Sequence, residues 1–361
     1  MTISLPDYIQ SITPYKPGKP IEELARELGI QHAIKLASNE NPLGPSPRAM
    51  DAITAAVSNL HRYPDGAGHD LVARLSEYWK LAPEYFVLGN GSDDLIGMLT
   101  RALLQPGDEV IIPAPSFLMY EINVRSAGAI PVFVPLRALA IDLNDLLKNV
   151  TTRTRMVFIC NPNNPTGTII SGKSFDTFLQ ALPQDIVVVV DEAYMEFVRD
   201  SDCVRGIAYV QKPPPVVTLR TFSKAYGLAG LRIGYGVMKP ELAEAMQRIR
   251  QPFNTSLLAQ AGAAAAIGDE EFLKRTIRMV HEGLDYLFTE LSRAGIRYFP
   301  TQSNFFLIDA GKDADTVFDA MLRLGVIVRS MTSYGYPTYI RLNTGLPEEN
   351  KRLVQALKQV L

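Results

Sequence analysis

Cysteine is scarce: Cys160 and Cys203 are the only two in 361 residues and lie far apart. That excludes a disulfide framework and a cysteine metal site, and it suits a reducing compartment. Four histidines (His32, His61, His69 and His281) show no H-E-x-x-H or similar ligand spacing, which counts against metal catalysis. Neither charge sign dominates, since 36 Lys and Arg face 38 Asp and Glu for a formal net charge of -2. Such a surface has no electrostatic footprint for nucleic acid or an anionic membrane. No apolar run approaches the ~20 residues that span a bilayer. The stretch Met1 to Asp7 has neither a basic n-region nor an apolar core, so no signal peptide is expected. Repeats and low-complexity tracts are missing as well. The expectation is a soluble, cytoplasmic enzyme acting on small molecules, with no nucleic-acid or membrane partner.

What is present is a chain of about two domains' length, at ~150 residues per domain. Pro14, Pro17, Gly18 and Pro20 make an irregular arm, and Ile21 to Gly29 reads as a short amphipathic helix stopped by glycine. This arm (1–35) is expected to pack on the smaller domain. Strands and helices then alternate. Seven strands are expected at Tyr85–Gly89, Glu109–Pro113, Ile130–Val134, Met156–Cys160, Ile186–Val190, Val216–Arg220 and Arg232–Val237. Helical patterns at Asp70–Lys80, Asp94–Leu104 and Ser174–Leu182 lie between them. Ile186-Val187-Val188-Val189-Val190 is apolar without alternation, as a strand covered on both faces must be. The fold class is therefore α/β, with a mainly parallel seven-stranded sheet flanked by helices over 36–255. A long helical stretch, Glu241 to Ala294, breaks near Pro252 and Gly268. A smaller α/β unit completes 256–361, with strands at Asn304–Asp309, Val326–Arg329 and Tyr339–Asn343 and a closing helix at Glu348–Leu361.

Ligands of open parallel sheets bind beyond the carboxyl ends of the strands, so the residues after each strand carry the chemistry. Gly89-Asn90-Gly91-Ser92-Asp93-Asp94 opens a helix whose free N–H groups suit a phosphate, or is an ordinary capped turn. Asp191-Glu192-Ala193-Tyr194 puts an acid at a buried strand end, where it needs a cation or hydrogen bonds. It either caps a helix or holds a protonated ring nitrogen. Asn161-Pro162-Asn163-Asn164-Pro165-Thr166-Gly167 is a stiff loop able to offer the Asn164 amide to a ligand oxygen. Thr221-Phe222-Ser223-Lys224-Ala225-Tyr226-Gly227-Leu228-Ala229-Gly230-Leu231-Arg232 surrounds one lysine with hydroxyls, glycines and a second cation. A desolvated lysine beside another cation becomes a usable amine nucleophile. Lysine, phosphate clamp and strand-end carboxylate together describe an aldehyde cofactor held as a Schiff base.

With Leu36-Ala37-Ser38-Asn39-Glu40-Asn41-Pro42-Leu43-Gly44-Pro45, Arg62-Tyr63-Pro64-Asp65-Gly66 and Ile340-Arg341-Leu342-Asn343-Thr344-Gly345, the set is specific jointly rather than singly. The chain resembles the pyridoxal-phosphate aminotransferases of the aspartate aminotransferase fold over nearly its whole length. Among them it is most similar to the histidinol-phosphate aminotransferases.

The resemblance implies pyridoxal 5'-phosphate as cofactor, with Lys224 as the amine that carries it and later moves the substrate proton. Asp191 would pair with the ring nitrogen, and Tyr194 and Asn164 with the phenolic oxygen. Phe117 would stack on the ring; many relatives have tyrosine there, so stacking survives and a hydroxyl role does not. The phosphate would meet Ser92, Asp93, Thr221, Ser223 and Arg232, and Tyr63 would reach the phosphate of a neighbouring subunit in an obligatory homodimer. Arg341, helped by Arg329, would take the substrate's anionic group, because a guanidinium binds carboxylate or phosphate bidentately. Tyr15 and the loop containing Asn41 would cover the substrate. The implied reaction is ping-pong transamination of L-histidinol phosphate with 2-oxoglutarate in histidine biosynthesis. Rivals are an aromatic amino acid aminotransferase, a threonine-phosphate decarboxylase, and a non-catalytic cofactor-binding regulator, which would need an added DNA-binding domain.

Overall fold

The structure, a computed structural model, describes residues 4–15, 26, 30 and 32–361. The helix expected over Ile21–Gly29 lies, apart from Arg26, outside those residues, as do Pro17, Gly18 and Pro20.

The strands run in chain order as β1 (Ile34–Lys35), β2 (Phe86–Gly89), β3 (Glu109–Ala114), β4 (Ile130–Pro135), β5 (Thr154–Cys160), β6 (Val187–Asp191), β7 (Val216–Thr221) and β8 (Gly234–Val237). The seven strands β2 to β8 form one sheet in the order β2-β8-β7-β6-β5-β3-β4. Of these, β8 alone opposes the others, being antiparallel to both β2 and β7. The valine run explains the layering. Val187 and Val189 enter one apolar cluster, and Val188 and Val190 enter the cluster on the other face. Neighbouring β5 divides likewise, with Met156, Phe158 and Cys160 on one side and Val157 and Ile159 on the other. Each fully buried valine contributes about 1.5 kcal/mol or more to holding helices against both faces.

The smaller unit has β9 (Arg297–Phe299), β10 (Phe305–Asp309), β11 (Val326–Ile327), β12 (Arg329–Ser330) and β13 (Tyr339–Asn343). Its antiparallel sheet has the order β12-β13-β10-β9. The single strand expected over Val326–Arg329 is divided in two. Val326–Ile327 pairs in parallel with β1, whereas Arg329–Ser330 pairs with β13. The switch at Val328 places Arg329 directly across from Arg341.

The helical stretch between the sheets is three helices, Pro240–Ile249, Leu257–Ile267 and Glu270–Arg293. The described N-terminal helix, Asp7–Gln10, packs on Met119–Ser126 of the large unit. The end of the arm joins the small unit: Ile34–Lys35 pairs with Val326–Ile327, and Ile30 and Ala33 pack against Leu322 and Ile327. Among the described residues no helix is long and apolar enough to cross a membrane.

Candidate active site

A cavity opens at the carboxyl ends of the parallel strands, between the two sheets, and Lys224 reaches into it from the turn after β7. Its Nζ donates to the Ser38 carbonyl at 3.0 Å and lies 5.8 Å from the Tyr194 ring centroid. Burial, helped by the Arg341 and Arg232 charges and opposed by Glu40, pulls its pKa down from 10.5 to about 8. The lowered pKa leaves a minor share of this amine neutral near pH 7, the form a nucleophile or base requires, far more than an ordinary lysine would have.

Asp191 closes β6 at the inner end of the cavity and is buried. Its Oδ2 accepts from the Tyr120 hydroxyl at 2.7 Å and its Oδ1 from the Ala193 N–H at 3.2 Å. Burial pushes its pKa up to about 6, against the pull of Tyr120. No cation is among these partners. A buried carboxylate in that state is stabilised by a positive ligand group such as a protonated ring nitrogen.

The phosphate side is set by close backbone approach. Gly91 caps the helix Ser92–Leu103 at φ +85°, and a Cβ there would sit 2.6 Å from an Arg232 guanidinium nitrogen. A Cβ on Gly234 would come within 2.8 Å of the Ser92 nitrogen. Arg232 donates to Ser223 Oγ at 3.4 Å and to the Ala229 carbonyl at 3.2 Å. Thr221 Oγ1 accepts from the Ser223 N–H at 3.1 Å. Two hydroxyls, a guanidinium and a helix start thus converge on one spot. Asp93, beside them, is pushed up by burial and drawn down by Arg232 and Lys224.

Above Lys224, Arg341 donates to Asn164 Oδ1 at 2.6 Å and to the Ala37 carbonyl at 2.7 Å. With its oxygen turned to Arg341, Asn164 offers its NH₂ to the Tyr194 hydroxyl at 3.4 Å, and Asn39 does the same at 3.1 Å. Both lone pairs of that hydroxyl being occupied, its own proton is free for a ligand oxygen. Arg341 is buried and its Nε has no partner among the described residues. The register sets Arg329 directly opposite Arg341, which brings two guanidiniums to one place where an anion can be held. Tyr15, Phe117 and Arg329 also line the cavity.

Two expected residues stand elsewhere. The Asn41 side chain is turned from the cavity and donates to the Ala225 carbonyl at 3.0 Å and to Thr276 Oγ1 at 3.2 Å, tying its loop to the lysine turn. Tyr63 is 82% exposed and stacks on Phe253, with 4.7 Å between ring centroids. Asn39, expected only as part of the loop that covers the substrate, and Tyr120, which no motif singles out, both reach the site. Asn39 sits inside a quoted motif and holds a left-handed φ of 56°; Tyr120 follows Phe117 by one helical turn.

A partly buried amine, a buried acid with no cation among its described partners, a phenol with its proton to give and an anion cradle all fit pyridoxal phosphate. Fold and site together define a pyridoxal-phosphate-dependent aminotransferase of the aspartate aminotransferase fold. The chain belongs to the class I and II aminotransferases, whose family profile matches residues 31–357. It is 44% identical to the histidinol-phosphate aminotransferase of Symbiobacterium thermophilum, over 98% of this chain and 97% of that protein. It is 45% identical to histidinol-phosphate aminotransferase 1 of Nitrosococcus oceani, over 98% and 95%. Among solved structures, the histidinol-phosphate aminotransferase of Sinorhizobium meliloti in complex with pyridoxal-5'-phosphate superposes with a TM-score of 0.91 at 30% identity, over 100% of this chain and 98% of that one.

Proposed function

We propose that the protein transaminates L-histidinol phosphate with 2-oxoglutarate, giving imidazole acetol phosphate and L-glutamate, in cytoplasmic histidine biosynthesis. Lys224, Asp191, Tyr194, Asn164, Phe117, Ser92, Asp93, Thr221, Ser223 and Arg232 hold the cofactor. Residues 36–255 form the cofactor unit, with 256–361 as the connecting helix and the small α/β unit. The bound cofactor supplies an electron sink for the carbon that bears the substrate's nitrogen. Lys224 Nζ takes the proton from that carbon, which its lowered pKa permits at neutral pH. Asp191 holds positive charge at the inner end of the cavity, and Tyr194 gives its hydroxyl proton to a ligand oxygen. Arg341 orients the substrate, with Arg329 on the paired strand and Tyr15 at the rim.

One observation carries the substrate reading: two arginines face each other across β12 and β13 at the cavity, one with a buried Nε that has no partner among the described residues. Such a site accepts a phosphate ester and a carboxylate in turn, which the two half-reactions require. The active form is proposed to be a homodimer, with Tyr63 delivered to the partner's phosphate site. Initial rates against histidinol phosphate at several fixed 2-oxoglutarate concentrations test the scheme. Parallel double-reciprocal lines are expected; converging lines contradict it.

A further inference from the structure

Tyr120 has no part in the roles above, yet it touches two of the groups that have one. Its ring is fully buried and lies flat on Phe158, with 4.6 Å between centroids and 8° between planes. It meets Phe117 edge-on at 5.6 Å and 87°. Its hydroxyl donates to Asp191 Oδ2 at 2.7 Å. Phe158 lies on β5 and Asp191 on adjacent β6, so two paired strands fix both contacts. A phenol O–H at this distance favours the ionised carboxylate and sets its direction. Asp93 and Glu192 act on Asp191 in the opposite sense, and Cys160 and Tyr194, also close by, bring no cation.

The structure assigns Tyr120 as a positioning residue that keeps the Asp191 carboxylate ionised and aimed into the cavity, and so sets how tightly the protein holds pyridoxal phosphate. This rests on the reading of Asp191 as the partner of the ring nitrogen. Tyr120→Phe removes one oxygen and keeps the ring, so the aromatic packing stays. Phe158→Leu keeps the hydroxyl but removes the surface that steers it.

The test titrates cofactor-free protein with pyridoxal phosphate across pH 5.5 to 8.5, following binding by absorbance, and records the melting of the cofactor-free form. Tyr120→Phe is expected to weaken binding roughly tenfold at pH 7, the scale of one hydrogen bond to a charged group. It should also move the pH at which affinity fades upward, with little change in melting. Phe158→Leu should shift both the same way by less, which keeps the test open if Tyr120→Phe does not fold. In an Asp191→Asn background, Tyr120→Phe should add nothing. Equal loss in that background overturns the assignment. So do affinity and pH midpoint left at their original values in both variants while Asp191→Asn alone weakens binding. If Asp191→Asn itself leaves binding unchanged, the failure lies in the reading of Asp191.

Discussion

Arg341 and Asn164 are 177 residues apart in the chain and share a 2.6 Å hydrogen bond, buried at both ends. The bond joins β13 of the small sheet to the loop after β5 of the large one. The arginine proposed to take the substrate's anion thereby grips the amide that faces Tyr194. A change at the anion site is therefore felt at the phenol.

Arg341→Ala should raise KM for glutamate and for histidinol phosphate together, by about 10- to 100-fold, the scale of a lost charged hydrogen bond. Arg341→Lys keeps the charge without the planar fork and should recover only part of the loss. Steady-state kinetics on each substrate decide it. Loss confined to one substrate would mean two separate anion sites.

Lys224→Met should cut kcat by about 10³-fold or more, since it removes the proton carrier, and borohydride should no longer fix cofactor to the chain. The same variant should stabilise the cofactor-free protein. Lys224 titrates near 8 when folded against 10.5 ordinarily. Between those values the unfolded chain holds a proton that the folded one has lost, so stability rises with pH there. Below pH 8 both states are protonated and the folded one bears the full cost of the buried charge. The amine is only partly buried, so the gain at pH 7 is roughly 2 kcal/mol, shrinking towards pH 10.5. Denaturant melts at pH 7 and pH 10 measure it; a gain that grows with pH would contradict the burial account.

Gly91→Ala should weaken pyridoxal phosphate binding roughly tenfold or more, because the new methyl would displace the Arg232 guanidinium and a φ of +85° strains any L side chain. Equilibrium dialysis against the cofactor checks this. Unchanged retention would remove Arg232 and the helix start from the phosphate site.

Tyr63→Ala should lower activity about tenfold or more while leaving monomer folding intact, since the side chain is mostly in solvent and surface changes seldom cost stability. Refolding Tyr63→Ala together with Lys224→Ala should restore activity, as a mixed dimer would own one complete site. No recovery would mean that sites are not shared.

Much of the site was legible because its residues follow strand ends. Asp191 ends one buried strand, and Asn164 and Lys224 come four and three residues after two others. The contacts that couple them were not. Nothing local to Asn164 announces Arg341, and nothing in Asn39 announces its 3.1 Å approach to Tyr194. Both pairings depend on how two sheets meet. Asn41 and Asn39 were equivalent on paper, and a left-handed turn at Asn39 decides which amide enters the site. The short β9 leaves no mark in the sequence, because a three-residue, part-exposed edge strand has no room for a period. The break at Val328 was hidden within one apolar run.

The most direct test is a single half-reaction. Holo-protein is mixed with histidinol phosphate and no keto acid, and the cofactor's visible band is followed, with phenylalanine, tyrosine and threonine phosphate in parallel. Rapid loss of the band with histidinol phosphate alone, reversed by 2-oxoglutarate, is expected. Conversion mainly by the aromatic amino acids would contradict the proposed substrate, and no conversion by any of the four would contradict transamination itself.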